Sequence, residues 1–212
     1  MAIYRRLYER YGPQHWWPGD SPFEVMVGAI LTQSAAWQNV EKAIANLKTA
    51  DVMTPAVVRD IPTGELAQLI RSTGYYNAKA VKLKAFANWL KLTYNDDQEM
   101  MFATDTGILR NQLLAVHGVG PETADSILLF GGNKPVFVID AYTRRVISRL
   151  GLAPAEETYD GYQSFFSDNL PPDTQLFNEY HALLVRQAKE CCRKQPVCAA
   201  CCLRDICRFE IM

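Results

Sequence analysis

Cysteine is the residue type whose distribution most clearly indicates chemistry in this chain. All six cysteines lie within residues 191–207 of the 212-residue sequence. Four of them, separated by six, two and five residues, are Cys191, Cys198, Cys201 and Cys207. Four thiolates this close together, in a chain with the features of an intracellular protein, indicate a metal site more than disulfides. Tetrahedral zinc is one occupant that four cysteines serve well.

A second stretch, residues 113–145, combines a tight turn with a carboxylate. An apolar segment typical of a helix end precedes the turn Gly118–Gly120, and Pro121 follows it at a position where a first helical turn tolerates a missing N–H. Such a helix-hairpin-helix exposes backbone amides that suit a phosphate oxygen. Asp140 then follows an extended apolar segment as the expected N-cap of the next helix. Taken singly, the turn and the cap each have an ordinary structural explanation.

The elements that position these residues are expected to be helices. The sequence has no strong period-two strand pattern, no internal repeat and no low-complexity linker, so it predicts an all-α fold. A capping box with proline at the first helical position opens one helix at Ser21. Helices are predicted after Asp140 and at residues 4–11, 23–31, 35–48, 55–61, 64–72, 78–93, 106–116, 122–130, 159–169 and 177–189.

Composition and charge narrow the class of protein. The chain is 49% hydrophobic, which is typical of a globular protein. Its formal net charge of −1 gives only weak support for nucleic-acid binding, because nucleic-acid-binding domains are often basic. Its final segment is nevertheless basic, with Arg186, Lys189, Arg193, Lys194, Arg204 and Arg208. No apolar stretch approaches the ~18 residues of a membrane span, and the N-terminus lacks the apolar core of a signal peptide. We therefore expect no membrane partner.

The order and spacing of the hairpin and Asp140 resemble the helix-hairpin-helix DNA glycosylases of the endonuclease III superfamily, and the cysteine spacing agrees with that resemblance. It implies a two-lobed fold with a C-terminal iron–sulfur cluster loop and a substrate cleft between the lobes. The implied lobes are a helical barrel at residues 20–134, with the helix-hairpin-helix at about 109–130, and a second lobe of residues 1–19 plus 135–212, with the cluster loop at 191–207.

The resemblance also implies ligands for the cysteines and the hairpin. It assigns a [4Fe–4S] cluster rather than zinc to Cys191, Cys198, Cys201 and Cys207, since cysteine-only ligation suits such clusters. Cys192 and Cys202 have no ligand role in this interpretation. The backbone of double-stranded DNA containing a damaged base would be bound by Gly118, Val119, Gly120 and Thr123.

Two further residues receive roles in extruding and releasing the base. Asp140 would stabilise an oxocarbenium-like sugar and help to direct water onto it. Gln33 lies in the loop Thr32–Ser34, where relatives insert a side chain into the base stack, and it is the candidate to fill the gap left by the extruded nucleotide.

Glu122 decides the expected mechanism. Bifunctional members of the superfamily carry a lysine two residues after the second hairpin glycine, and its amine cleaves the strand through a Schiff base. Here that position is Glu122, which cannot form an imine. The sequence therefore predicts a monofunctional glycosylase without AP lyase activity, with Lys134 as the residue that would take the role in the alternative.

The segment around Trp17 indicates the substrate. Residues Trp16–Pro18, the Leu-Thr-Gln segment with Trp37 four residues later, and the turn Gly74–Asn77 look like the 3-methyladenine glycosylase branch. That branch holds its base between aromatic residues at positions matching Trp17 and Trp37, beside a proline that matches Pro18, so the resemblance implies that Trp16, Trp17, Pro18 and Trp37 line the base pocket. An electron-rich indole favours a cationic 3-methylated purine through a cation–π interaction.

Two alternatives remain open at this point. One is an endonuclease III-like glycosylase and AP lyase acting on oxidised pyrimidines, because the cysteine segment is like endonuclease III itself. The other is a non-catalytic iron–sulfur protein that binds damaged DNA, against which Asp140 in its motif argues. For any of them we expect a monomer that is cytoplasmic and nucleoid-associated if the source is bacterial or archaeal.

Overall fold

Residues 1–209 are described by a computed structural model and form twelve α-helices and no strand. This confirms the all-α prediction. Within these residues, no helix combines the length and the apolar character that crossing a bilayer requires. The helices are α1 (Ala2–Tyr11), α2 (Pro22–Leu31), α3 (Trp37–Thr49), α4 (Pro55–Asp60), α5 (Thr63–Leu69), α6 (Tyr76–Tyr94), α7 (Gln98–Ala103), α8 (Thr106–Leu114), α9 (Pro121–Ser126), α10 (Ala141–Arg149), α11 (Tyr159–Asn169) and α12 (Thr174–Glu190).

The observed helices differ from the predicted ones mainly at short elements. Helix α7 was not predicted, because its six residues show little helical period and, unlike α4 of the same length, it has no proline at its first position to mark a helix start. The helix expected at residues 122–130 consists of α9 followed by a π-helical segment, Ile127–Gly131. Gly132 then allows the Phe102 ring of α7 to approach the backbone, since a Cβ at this position would lie 2.4 Å from the ring.

The described chain divides into two compact units, and the first spans Pro18–Asn133. Its helix α6 packs against α4 and α5 and buries Leu83, Phe86 and Leu90. Helix α2 is apolar nearly all round and is buried along its length from Phe23. Its predicted cap is confirmed, because Ser21 Oγ accepts a hydrogen bond from the backbone N–H of Glu24 at 3.2 Å.

Helices α8 and α9 are the two arms of the hairpin and are joined by a partly buried ion pair. Arg110 of α8 donates from Nε and Nη2 to the two carboxylate oxygens of Asp125 in α9, at 2.7 and 3.1 Å. The Asp125 side chain is fully buried. This planar, two-point contact fixes the angle between the arms more closely than a single hydrogen bond would.

The second unit combines residues 1–17 with the described chain from Lys134 onward. Here α12 packs against both α10 and α1. An aromatic core fills the interior, in which the Phe137 and Phe166 rings stack with centroids 3.7 Å apart and Phe177 and Tyr180 pack edge-on against Phe137. This core anchors the segment immediately before Asp140.

Candidate functional site

The hairpin residues form a tight turn whose exposed side is backbone. Gly118 has φ = 83°, a conformation that favours glycine. The Val119 side chain turns inward and is buried. Gly120 is the N-cap of α9, and among the described residues no side chain caps this helix. The first-turn amides of α9, next to the exposed Glu122, therefore have the character of an anion-binding site.

Gln33 lies against this hairpin. Its Nε2 donates to the Gly118 carbonyl and to Thr123 Oγ1, both at 2.9 Å, and its Oε1 accepts from Lys82 Nζ at 2.6 Å. Thr123 is itself buried. The structure thus places Gln33 and Thr123 together, with the Gln33 amide engaged by the protein. Its predicted role in filling the DNA gap stays a prediction.

Lys79 joins the end of α2, just before the Thr32–Ser34 loop that holds Gln33, to the segment before α6. Its Nζ donates to the carbonyl oxygens of Leu31, at the end of α2, and of Thr73, each at 2.8 Å. Its side chain is buried, and this burial, together with the neighbouring Lys82 ammonium, lowers the Lys79 pKa to about 8. Lys79 therefore holds the start of the Thr32–Ser34 loop next to the turn that precedes α6.

Tyr75, in that turn, is a candidate that sequence reasoning missed. It adopts a left-handed conformation with φ = 46°, directly after Gly74, and is 76% exposed. An exposed aromatic face suits stacking on a base. The sequence pointed to this turn only through the resemblance of Gly74–Asn77 to the 3-methyladenine glycosylase branch, which did not single out Tyr75.

Asp140 is the N-cap of α10, as predicted. Its Oδ1 accepts a hydrogen bond from the backbone N–H of Thr143 at 2.7 Å, and its side chain is half-exposed. A negative charge at a helix N-terminus interacts favourably with the helix dipole. This site can therefore present a negative charge to solvent from a rigid position.

His181 of α12 lies beside the segment that carries Asp140, and no sequence signal distinguished it from a core histidine. Its Nδ1 is 3.0 Å from the Val138 carbonyl oxygen, which can only accept, so Nδ1 carries the proton in this pair. Burial lowers the pKa of the imidazole, and the negative charge of Asp140 acts in the opposite direction. The ring also packs against Trp16, with centroids 5.8 Å apart.

The four residues predicted to line the base pocket belong to different units. Trp16 and Trp17 are half-buried at the end of the first segment of one unit, with their rings 6.3 Å apart. Pro18, which is exposed, and Trp37, half-buried at the first position of α3, belong to the other unit. Their assignment to a base pocket stays a prediction.

The cysteine segment begins where α12 ends, and its residues fit thiolate chemistry. Cys191 is buried, with its sulfur 3.6 Å from the Tyr11 hydroxyl. The Cys201 sulfur accepts hydrogen bonds from Gln187 Nε2 at 2.9 Å and from the Leu203 backbone N–H at 3.4 Å. No disulfide joins any two of the six cysteines. Within residues 1–209, no three His, Cys, Asp or Glu side chains stand in a preformed metal-binding geometry.

Two arginines of α10 hold the start of this segment. Arg145 donates to the carbonyls of Ala188 and Cys192, at 3.0 and 2.7 Å. Arg149 donates to the carbonyls of Arg193 and Lys194, at 2.5 and 3.1 Å. The helix that begins at Asp140 therefore carries the cysteine segment at its other end.

Comparison with known proteins agrees with these observations. A family model described as "HhH-GPD superfamily base excision DNA repair protein" matches residues 27–172. A protein of Methanocaldococcus jannaschii that is named as a DNA repair glycosylase is 44% identical over 206 residues, which is 97% of this chain and 94% of that protein. Endonuclease III of Sulfolobus acidocaldarius is 29% identical over 190 residues, which is 89% of this chain and 82% of the length of that enzyme.

Solved structures with a similar fold include two of the expected kinds. The Helicobacter pylori 3-methyladenine DNA glycosylase MagIII, bound to 1,N6-ethenoadenine, has a TM-score of 0.77 at 26% identity and covers 89% of this chain and 96% of its own. A non-covalent endonuclease III–DNA complex has a TM-score of 0.84 at 22% identity, over 98% of this chain and 92% of that one. At 22% identity, the endonuclease III complex shows that the two proteins share a fold and nothing about their activities.

Proposed function

Since the chain belongs to the HhH-GPD superfamily of base excision DNA repair proteins, we propose that it is a monofunctional DNA glycosylase that hydrolytically releases alkylated bases such as 3-methyladenine. The observation that carries the mechanism is the exposed Glu122 in the first turn of α9, at the position of the catalytic lysine of bifunctional relatives. A carboxylate is not a nucleophile for imine formation, so hydrolysis takes its place.

The proposed reaction begins with the grip on DNA. The backbone amides of the hairpin bind a phosphate, and the damaged nucleotide leaves the stack at a cost of a few kcal/mol. The rings of Trp17 and Trp37 then hold the extruded base. A base methylated at N3 is cationic, so an indole face adds a cation–π attraction to stacking.

Asp140 supplies the charge for bond cleavage. As the glycosidic bond breaks, positive charge develops on the sugar, and a carboxylate already fixed by its cap hydrogen bond stabilises it without reorganising. The same carboxylate orients the attacking water and accepts its proton. The released base takes the bonding electrons of the glycosidic bond, which its own positive charge makes a weak bond.

We propose that Cys191, Cys198, Cys201 and Cys207 hold a [4Fe–4S] cluster. The amide donors around the Cys201 sulfur support this, since hydrogen bonds to sulfur stabilise bound thiolates. The cluster would supply folding energy to a segment with a small apolar core. It would also order the basic residues of this segment toward DNA phosphates.

A single-turnover assay on a panel of lesion-bearing duplexes tests the function. We expect 3-methyladenine to be released from alkylated DNA, strands to break only after alkali, and borohydride to trap no enzyme–DNA adduct. An adduct trapped on an oxidised-pyrimidine duplex would instead assign the chain to the bifunctional class, with Lys134 as its candidate amine. Binding of lesions without release of any base would leave only a damage-binding protein.

A further inference from the structure

Gln33 uses both ends of its side-chain amide to join the hairpin to α6. The nitrogen donates to the Gly118 carbonyl and to Thr123 Oγ1, and the oxygen accepts from Lys82 Nζ. To enter a base stack, Gln33 would have to give up all three hydrogen bonds. It would then leave the Gly118 carbonyl and the Lys82 ammonium without these partners. This favours a role for Gln33 within the protein over the gap-filling role.

The stem of Lys82 supports the same turn from below. A Cβ built on Gly118 would lie 2.3 Å from Cγ of Lys82 and 2.5 Å from its Cδ, so the glycine backbone rests directly on the lysine methylenes. The hairpin tip cannot move toward α6 without displacing Lys82. Lys82 is itself held by Gln33, so the two side chains restrain the tip from two sides.

The charge of Lys82 matters for a phosphate ligand. Glu122 adds a carboxylate to the exposed first turn of α9, and the whole chain has a formal net charge of −1. An ammonium directly behind the hairpin offsets the repulsion between this carboxylate and a DNA phosphate. The methylenes of Lys82 therefore support the hairpin backbone, and its ammonium group adds positive charge next to the site proposed to bind a phosphate.

We propose that Gln33 and Lys82 form a brace, a pair of positioning residues that hold the hairpin amides in the geometry that binds a DNA phosphate, with the Lys82 charge strengthening that binding. The proposal rests on the proposed function, in which the hairpin grips DNA. It adds two residues to the DNA-binding site and replaces gap filling as the role of Gln33.

The test measures equilibrium binding to an undamaged duplex and to one with a stable abasic-site analogue, over a range of salt concentrations. Gln33→Met removes the amide at similar length, and Lys82→Met keeps the stem and removes the charge. We expect each to weaken binding to both duplexes by about tenfold. Lys82→Met should also make log K fall less steeply with log salt, because it removes one positive charge beside the phosphate-binding amides, and the change in slope should be smaller than the value of about 0.9 for one direct phosphate contact.

Two controls match these substitutions in the same unit. Asn46→Leu removes the hydrogen bond that the Asn46 side-chain amide donates to the Leu69 carbonyl, and Lys91→Met removes a lysine of α6 whose Nζ donates to Asn95 Oδ1. Both should bind DNA as the wild type does. A merely structural role would lower the melting temperature of the Gln33 and Lys82 variants without the salt effect, and that result would contradict the brace.

The double variant shows whether the two residues act as a unit. We expect its loss of affinity to be clearly smaller than the product of the two single losses, because either change already releases the hairpin. Multiplicative losses would overturn the proposal. So would a Gln33→Met protein that binds undamaged duplex normally and loses only base release, since gap filling predicts that result.

Gly120→Glu separates a failure of the brace from a failure of the proposed function. No atom lies within 4 Å of a Cβ at Gly120, and its φ of −97° suits any residue, so the variant should fold. If Gly120→Glu binds DNA normally, the hairpin does not grip DNA and both proposals fail. If Gly120→Glu loses binding while the Gln33 and Lys82 variants keep it, the brace alone is wrong.

Discussion

The proposed mechanism gives the Asp140 carboxylate two purposes, because the group that caps α10 through one oxygen is also the one proposed to face the sugar. Asparagine is as good an N-cap as aspartate, so Asp140→Asn keeps the cap and removes only the charge. We expect this variant to lose base release in single-turnover assays while its affinity for DNA stays near that of the wild type. The physical reason is the lost stabilisation of positive charge on the sugar.

Asp97→Asn is the matched control, since Asp97 caps α7 with an equivalent bond to the Met100 backbone N–H at 2.9 Å. It should release base at the wild-type rate. Activity of Asp140→Asn within threefold of wild type would show that Asp140 is a cap only. A lowered melting temperature would instead attribute a loss to the helix start, for which a lost cap costs about 1 kcal/mol.

Trp37, at the first position of α3, is the residue on which the substrate proposal depends. Trp37→Ala should slow release of 3-methyladenine by about tenfold to a hundredfold, from the loss of roughly 1–3 kcal/mol of base stacking. Trp89→Ala, a change of the same size in α6, tests whether any tryptophan loss has this effect. Equal losses in both variants would place Trp37 in the core rather than in the pocket.

At the scale of helices, Lys79 connects the end of α2 with the turn before α6. In the folded chain its pKa is lowered to about 8, below the value of 10.5 of an unperturbed lysine, so the unfolded chain binds more protons between these pH values. The contribution of Lys79 to the free energy of unfolding therefore rises as the pH increases from about 8 toward 10.5. Below pH 8 Lys79 is protonated in both the folded and the unfolded chain, so its contribution does not change with pH there, and the folded chain bears the full cost of burying the ammonium.

Denaturant unfolding of wild type and Lys79→Met at pH 7.5 and pH 9.5 measures this. The wild type should gain stability relative to the variant at the higher pH, because the variant lacks the titrating group. An unchanged difference would mean that Lys79 keeps its ordinary pKa. Lys91→Met, on the exposed side of the same helix, should show no such change relative to the wild type.

At the scale of the whole molecule, the cysteine segment is bonded to α10, the helix capped by Asp140, through Arg145 and Arg149, so the proposed cluster and the proposed catalytic residue share one helix. Purified protein should be brown and contain about four irons per chain, as expected for a cysteine-ligated cluster. Cys198→Ser should destabilise the C-terminal segment and weaken DNA binding, because metal binding supplies folding energy there. Iron analysis, the visible spectrum and the melting temperature give these results.

Cys202→Ser is the corresponding control, and it should keep both the colour and the affinity for DNA. A colourless protein with one zinc per chain would overturn the iron–sulfur assignment. A brown Cys198→Ser protein of unchanged stability would show that the ligand set is wrong, with the neighbouring cysteines as replacements.

The sequence by itself determined the class of fold and the order of the functional motifs. Glycines, prolines and capping residues act on neighbouring residues, so the hairpin at Gly118, the cap at Ser21 and the helix start at Asp140 were predictable from local chemistry. The cysteine spacing was equally local. Helix α7 was missed because it carries less than two turns of pattern and has no proline at its first position, such as the one that begins α4.

Only the tertiary structure decided which side chains meet. Gln33 and Gly118 are 85 residues apart in the chain, and Lys79 reaches carbonyls on two separate elements. Likewise, His181 comes next to the Asp140 segment only because α12 packs against α10. Nothing local marks such residues, since an amide or an ammonium at one position takes its role from partners that only the packing of helices brings within hydrogen-bonding distance.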